Sequence, residues 1–186
     1  MEAFFVSTGL VALAEIGDKT QLLSLVLAAR FRRPAPIVWG ILVATLLNHA
    51  AAGALGAWIT GLVGPQAMRW VLGLSFLAMA VWVLVPDKLD EGGSQARAHG
   101  VFVTTLIAFF FAEMGDKTQI ATVALAARYD ALAAVVAGTT LGMMLANVPV
   151  VLFGDRVTRR LPVRLIHVVA ALLFAAIGIA ALWTAW

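Results

Sequence analysis

The stretch EIGDKTQLLSLVLAAR at residues 15–30 returns as EMGDKTQIATVALAAR at residues 113–128, identical at ten of sixteen positions. Each copy sets two carboxylates and a lysine inside an apolar segment: Glu15, Asp18 and Lys19, then Glu113, Asp116 and Lys117. An ionisable group at the centre of a membrane helix costs about 2.5–3.5 kcal/mol, so six would cost roughly 18 kcal/mol. Groups that expensive mark an ion or substrate path by default.

Working outward, the flanking sequence is that of a membrane protein. Of 186 residues, 62% are hydrophobic and 12% charged, and the mean hydropathy is +0.97. A soluble domain cannot hide so much apolar surface. Six apolar stretches of about 20 residues predict helical spans near Phe4–Ala29, Ile37–Thr60, Ala67–Val85, Val101–Ala127, Leu132–Phe153 and Val163–Trp186. A membrane β-barrel would instead show alternating strands of about ten residues. The chain has no cysteine, which removes disulfides and thiolate metal sites. The basic pI does not point to nucleic acid, because the arginines cluster at span ends as topology signals do. No cleaved signal peptide is expected, since Met1-Glu2 lacks a basic region and the first apolar stretch is too long.

Arg30, Arg32, Arg33, Lys88, Arg97, Arg156, Arg159, Arg160 and Arg164 fall on one side of these spans, and only Arg69 and Arg128 on the other. The positive-inside rule then puts both termini outside and the 87–100 linker in the cytoplasm. The motif copies lie 98 residues apart, and Gly40 and Gly56 recur at that offset as Gly138 and Gly154. The chain therefore reads as a three-helix repeat (1–86), the linker (87–100) and a second three-helix repeat (101–186). Three spans is an odd number, so the second repeat enters the membrane inverted. The predicted fold is an all-α integral membrane protein of six transmembrane helices in two inverted-topology repeats, an architecture many secondary transporters share. Glu15 and Glu113 lie about eleven and twelve residues into their spans, roughly 16–18 Å deep at 1.5 Å per residue. That is near the middle of a core about 30 Å thick.

If the motif stays helical, Glu and Asp share a face at i, i+3, and each lysine stands at i+4 from its own Glu. Gly17 and Gly115 serve either close helix approach or local unwinding. Thr20, Gln21, Thr118 and Gln119 add neutral oxygens. Four carboxylates and two ammonium groups sum to −2, which matches one divalent cation. Oxygen ligands without sulfur suit hard ions such as Mn²⁺, Ca²⁺ and Mg²⁺. Four carboxylates crowded in a low dielectric should not all stay ionised without a cation, which gives a route to proton exchange. The lysines either orient the carboxylates or act as tethered cations. Asn48, His49 and Asn147 lie mid-span, Asn147 at the place of His49; the asparagines serve either the ion path or interhelical hydrogen bonding. Pro149 frees a backbone carbonyl nearby. Ser24 and Thr122 are weaker candidates, and His99 and His167 carry no signal.

The doubled E-x-G-D-[KR]-[ST] signature in a six-span chain of this size resembles the MneA-type bacterial manganese exporters and their Golgi relatives, a family of Mn²⁺/Ca²⁺ transporters. The resemblance implies that Glu15, Asp18, Glu113 and Asp116 bind the cation. It also implies outward movement of Mn²⁺ from the cytoplasm in exchange for protons; the ion is then cargo, no resident cofactor is expected, and the membrane is expected to be a bacterial inner membrane. Two alternatives remain: a Ca²⁺ or Mg²⁺ carrier, or an intramembrane acid-dependent enzyme such as a lipid-pyrophosphate phosphatase. The enzyme would need phosphate-binding arginines near the acids, and every arginine sits near a span end.

Overall fold

A computed structural model describes residues 1–85, 100–154 and 162–183. The linker expected at 87–100 lies outside them except for Gly100, as do Lys88, Arg97, Arg156, Arg159, Arg160 and Trp186. Among the described residues every regular element is helical. The helices are α1 (Glu2–Glu15), α2 (Lys19–Phe31), α3 (Pro34–Leu62), α4 (Pro65–Trp82), α5 (Val101–Glu113), α6 (Lys117–Tyr129), α7 (Leu132–Phe153) and α8 (Val163–Trp183).

Two of the expected continuous spans are broken. The stretch from Phe4 to Ala29 is α1 followed by α2, and that from Val101 to Ala127 is α5 followed by α6. The breaks fall on the repeated motif. By length and composition α3, α7 and α8 suffice to cross a membrane; α5 and the body of α4 are shorter apolar helices. Large apolar side chains such as Leu46, Leu47, Trp58, Leu152, Phe153 and Leu172 are exposed, as a lipid-facing surface requires.

The packing is reciprocal between the halves. α1 lies against α7 as α5 lies against α3, and α2 meets α7 as α6 meets α3. α4 and α8 pack on each other, with Phe76 stacked on Phe174 at 6.3 Å between ring centroids. Those two phenylalanines are themselves 98 residues apart. Glycine sets the closest approaches. A Cβ on Gly40 would lie 2.9 Å from the Phe102 carbonyl oxygen, and one on the repeat-equivalent Gly138 would lie 2.5 Å from that of Phe4. Backbone cannot yield as a flexible side chain can. Gly138→Ala is therefore expected to destabilise the protein by about 1–3 kcal/mol, read by thermal unfolding in detergent. Gly61, whose Cβ would meet nothing within 4 Å, should tolerate alanine without loss.

Candidate functional site

Each motif folds as a tight turn between two half-helices. Ile16 takes φ −65°, ψ 116°, Gly17 takes φ +86°, and the Asp18 N–H donates to the Glu15 carbonyl at 3.1 Å. Met114 (−66°, 117°), Gly115 (+78°) and the Asp116-to-Glu113 bond at 3.0 Å repeat the same geometry. These are the dihedrals of a type II β-turn, which needs a positive φ at its third residue and so selects glycine. The E-x-G-D pattern is the sequence of that turn. Unwinding, not close helix approach, is thus the role of Gly115, around which a Cβ would meet nothing within 4 Å among the described residues; Gly17 is both unwound and covered by Val163.

The turn changes which groups meet. Glu15 and Glu113 end α1 and α5, where the helix dipole is negative, while Asp18 and Asp116 begin α2 and α6, where it is positive. The i, i+3 face expected of an unbroken helix is lost. The lysines do not pair with their own Glu. Lys117 Nζ bonds Asp18 Oδ1 at 2.5 Å, and Lys19 Nζ bonds Asp116 Oδ1 at 2.8 Å, so each lysine ties its helix to the other motif. Asp18, Asp116 and Lys117 are almost fully buried, whereas the Lys19 side chain keeps 24% exposure.

Neutral neighbours hold this arrangement in matching ways. Thr20 Oγ1 donates to Glu15 Oε2 at 2.5 Å, and Thr118 Oγ1 to Glu113 Oε2 at 3.1 Å. Gln21 Oε1 accepts from the Gly17 N–H at 2.9 Å, and Gln119 Oε1 from the Gly115 N–H at 2.7 Å. The glutamines therefore secure the turns, and each reaches across the repeat interface, Gln21 to the Ala146 carbonyl and Gln119 to the Asn48 amide oxygen. Asn48 donates to the Phe110 carbonyl at 3.0 Å. Asn147 donates to the Met143 carbonyl and accepts from Ser24 at 2.8 Å. Both asparagines thus make interhelical or local hydrogen bonds, and Thr122 bonds back to the Thr118 carbonyl.

What remains is a cluster of acids. Glu15, Glu113 and Asp116 each offer a carboxylate oxygen within 4.8 Å of the other two, all in buried residues. Each of the three also has one buried oxygen with no hydrogen-bond partner among the described residues: Glu15 Oε1, Glu113 Oε1 and Asp116 Oδ2. Oxygens bound to one hard cation at about 2.3–2.6 Å lie no more than about 5 Å apart. The donor set and spacing fit such an ion, and a buried carboxylate oxygen without a donor calls for either a cation or a proton. Asp18, held by Lys117, stands outside this trio.

Residues 3–91 and 101–186 match the family described as divalent cation/proton antiporter GDT1. The chain belongs to that divalent cation/proton antiporter family. It is 54% identical over 181 residues to a Vibrio cholerae protein named "Putative manganese exporter", covering 97% of this chain and 90% of the relative. A GDT1-like protein of Synechocystis is 28% identical across 99% of this chain and 98% of its own length. GDT1-like protein 5 of Arabidopsis thaliana is 24% identical, with 99% and 96% covered. No solved structure matches the chain. An antiporter family is a transporter family, so the chain is not an enzyme.

Two histidines in this antiporter say more in three dimensions than in sequence. His167 Nε2 lies 2.6 Å from the Ile16 carbonyl oxygen, inside the first turn. A lone His near the start of an apolar stretch gives no hint of this; its only signal is its repeat equivalence to Arg69, 98 residues earlier. His49 is fully buried, and neither ring nitrogen has a partner among the described residues.

Proposed function

We propose that the chain exports Mn²⁺ from the cytoplasm in exchange for protons, with Glu15, Glu113 and Asp116 holding the ion and Asp18 completing the constellation. The observation that carries this reading is the trio of buried carboxylates, with three unpartnered oxygens, at the meeting point of two broken helices. Half-helix ends at a repeat interface are where secondary transporters place their ions. In this reading α1–α2 and α5–α6 each form one broken span, giving six spans in two inverted repeats of 1–86 and 101–186. Both termini lie outside a bacterial inner membrane, and the 87–100 linker is cytoplasmic. The Vibrio relative's name supports manganese as the cargo, and the all-oxygen donor set suits it.

Exchange follows from charge. Three carboxylates this close repel one another in a low dielectric unless a cation or protons neutralise them. Lys19 supplies part of that charge to Asp116. A divalent ion entering the cluster displaces protons from the glutamates, and their return releases it. The sign is fixed: protons compete with metal, so Mn²⁺ affinity should rise as pH rises. Binding to purified protein across pH, with Ca²⁺ and Mg²⁺ as competitors, tests this. An affinity independent of pH would remove the proton coupling, and preference for Ca²⁺ over Mn²⁺ would replace the cargo.

A further inference from the structure

Every major packing of one half recurs in the other except at α4 and α8, although α6 packs more extensively on α3 and α7 than α2 does on α7 and α3. α8 packs on α1, but its repeat equivalent, α4 on α5, has no comparable contact. α4 packs on α6, but its equivalent, α8 on α2, likewise has none. Among the described residues the α4–α8 pair therefore lies toward α1 and α6 and away from α2 and α5. The turns report the same asymmetry. A Cβ on Gly17 would run into Val163 and sit 3.5 Å from His167 Nε2, whereas one on Gly115 would meet nothing within 4 Å among the described residues. Ile16 is partly covered, whereas Met114 is 54% exposed.

From this broken symmetry we infer that the α4–α8 pair is the moving gate, and that His167 and Arg69 are its two alternating latches. In the present state His167, as the tautomer with hydrogen on Nε2, donates to the Ile16 carbonyl and closes the first turn. Repeat symmetry defines the other state. The pair rocks about the Phe76–Phe174 contact, α8 moves onto α2, and α4 moves onto α5. Arg69 then donates to the Met114 carbonyl. His167 and Arg69 each lie seven residues before the stacked phenylalanine of their own helix, on the same helical face. Arg69 Nε is buried now with no partner among the described residues, a donor without its acceptor. In the inferred second state the Met114 carbonyl is that acceptor. The latches are positioning residues: they hold turn carbonyls between the acids and do not themselves ligate the ion. This inference rests on the six-span inverted-repeat reading above. With that orientation, the present state opens to the cytoplasm and loads cargo for export.

The absence of cysteine allows spin-label pairs on the otherwise unaltered chain. One pair, at Arg33 and Arg164, reports α8 against α2; a second, at Gln66 and Asp130, reports α4 against α6. All four positions are exposed. Two distance populations are expected, differing by roughly 5 Å, about one helical turn. They should be reciprocal: where the first distance is short, the second is long. Losing one hydrogen bond should shift their ratio about five-fold. His167→Ala should favour the short Arg33–Arg164 state, Arg69→Ala the long one, and His167→Gln, which retains a donor, should restore the original ratio. Populations unmoved by both alanine variants, or two distances that change with the same sign, would overturn the latch. Mn²⁺ transport by Glu113→Gln, run in parallel, separates the failures. If that variant is inactive while the populations stay fixed, the latch alone falls; if it transports normally, the acid site falls.

Discussion

Glu113→Gln is expected to reduce Mn²⁺ uptake into inverted vesicles by about 10- to 100-fold, with Glu15→Gln comparable. The amide matches the carboxylate in size, and its oxygen can still accept from Thr118, so packing around α5 is preserved. What is lost is one negative charge among three oxygens gathered within 4.8 Å. A hydrogen bond or ligand contact to a charged group is worth about 1.5–3 kcal/mol, and each 1.4 kcal/mol is tenfold in binding. Thr118→Val should cost less, because it removes only the donor that orients Glu113 and leaves the charge in place. Transport of Mn²⁺, Ca²⁺ and Mg²⁺ in competition, with and without a pH gradient, provides the measurement. If both glutamine variants move every ion at the normal rate, the acids are not the site.

Much of this site was legible from its cost alone. Glu15, Asp18, Glu113 and Asp116 stand out because a bilayer core tolerates such groups only for a reason, and the 98-residue offset sets them in equivalent places. The geometry around them was less accessible. Spacing arithmetic on an unbroken helix pairs each lysine with its own Glu at i+4. That fails because Gly17 and Gly115 turn the chain between Glu and Lys, sending each lysine to the opposite Asp. A glycine flanked by Glu and Asp is compatible with helix or turn; the tertiary pairing of the two motifs decides between them. The glutamines looked like ligands because they carry oxygen. Their oxygens are in fact taken by the Gly17 and Gly115 N–H groups, donors that exist only because the helix breaks there. His167 was invisible for another reason. Its partner is a backbone carbonyl 151 residues away, and no side-chain pattern records a backbone acceptor.

The break also accounts for the helix inventory. On the six-span reading α1 and α2 are one span cut in the middle, giving helices of 14 and 13 residues, each too short to cross a bilayer alone. The carbonyls and N–H groups freed at the cut would be untenable against lipid, and are tolerable where other protein elements or a polar cavity receive them. Unwinding and acid clustering are therefore one design: the same turn that ends α1 sets Glu15 at a negative helix end beside the carboxylates of the second motif.

The two cross-repeat ion pairs should differ sharply in their worth to the fold. Lys117 and Asp18 are both buried at a 2.5 Å contact, while Lys19 keeps 24% of its side chain exposed. Removing one member of a buried pair strands the other charge and costs about 3–5 kcal/mol, against about 0.2–1 kcal/mol for exposed pairs. Lys117→Met is thus expected to lower the melting temperature in detergent by roughly 6–20 °C, taking about 2–4 °C per kcal/mol for a chain of this size. Lys19→Met should fall well short of that, since water can reach its ammonium. Adding Asp18→Asn to Lys117→Met should recover most of the loss, because a neutral amide removes the stranded charge. With Asp18→Asn alone measured as well, the single and double variants form a thermodynamic cycle that isolates the pair from the remaining packing of Lys117. Equal destabilisation by Lys117→Met and Lys19→Met, or no recovery in the double variant, would show that the asymmetry of the two bridges does not govern stability. On the proposed reading, the expected result also separates the two lysines: Lys117 holds Asp18 in place from the other repeat, while Lys19, 24% exposed, is the one free to leave Asp116 when a cation binds.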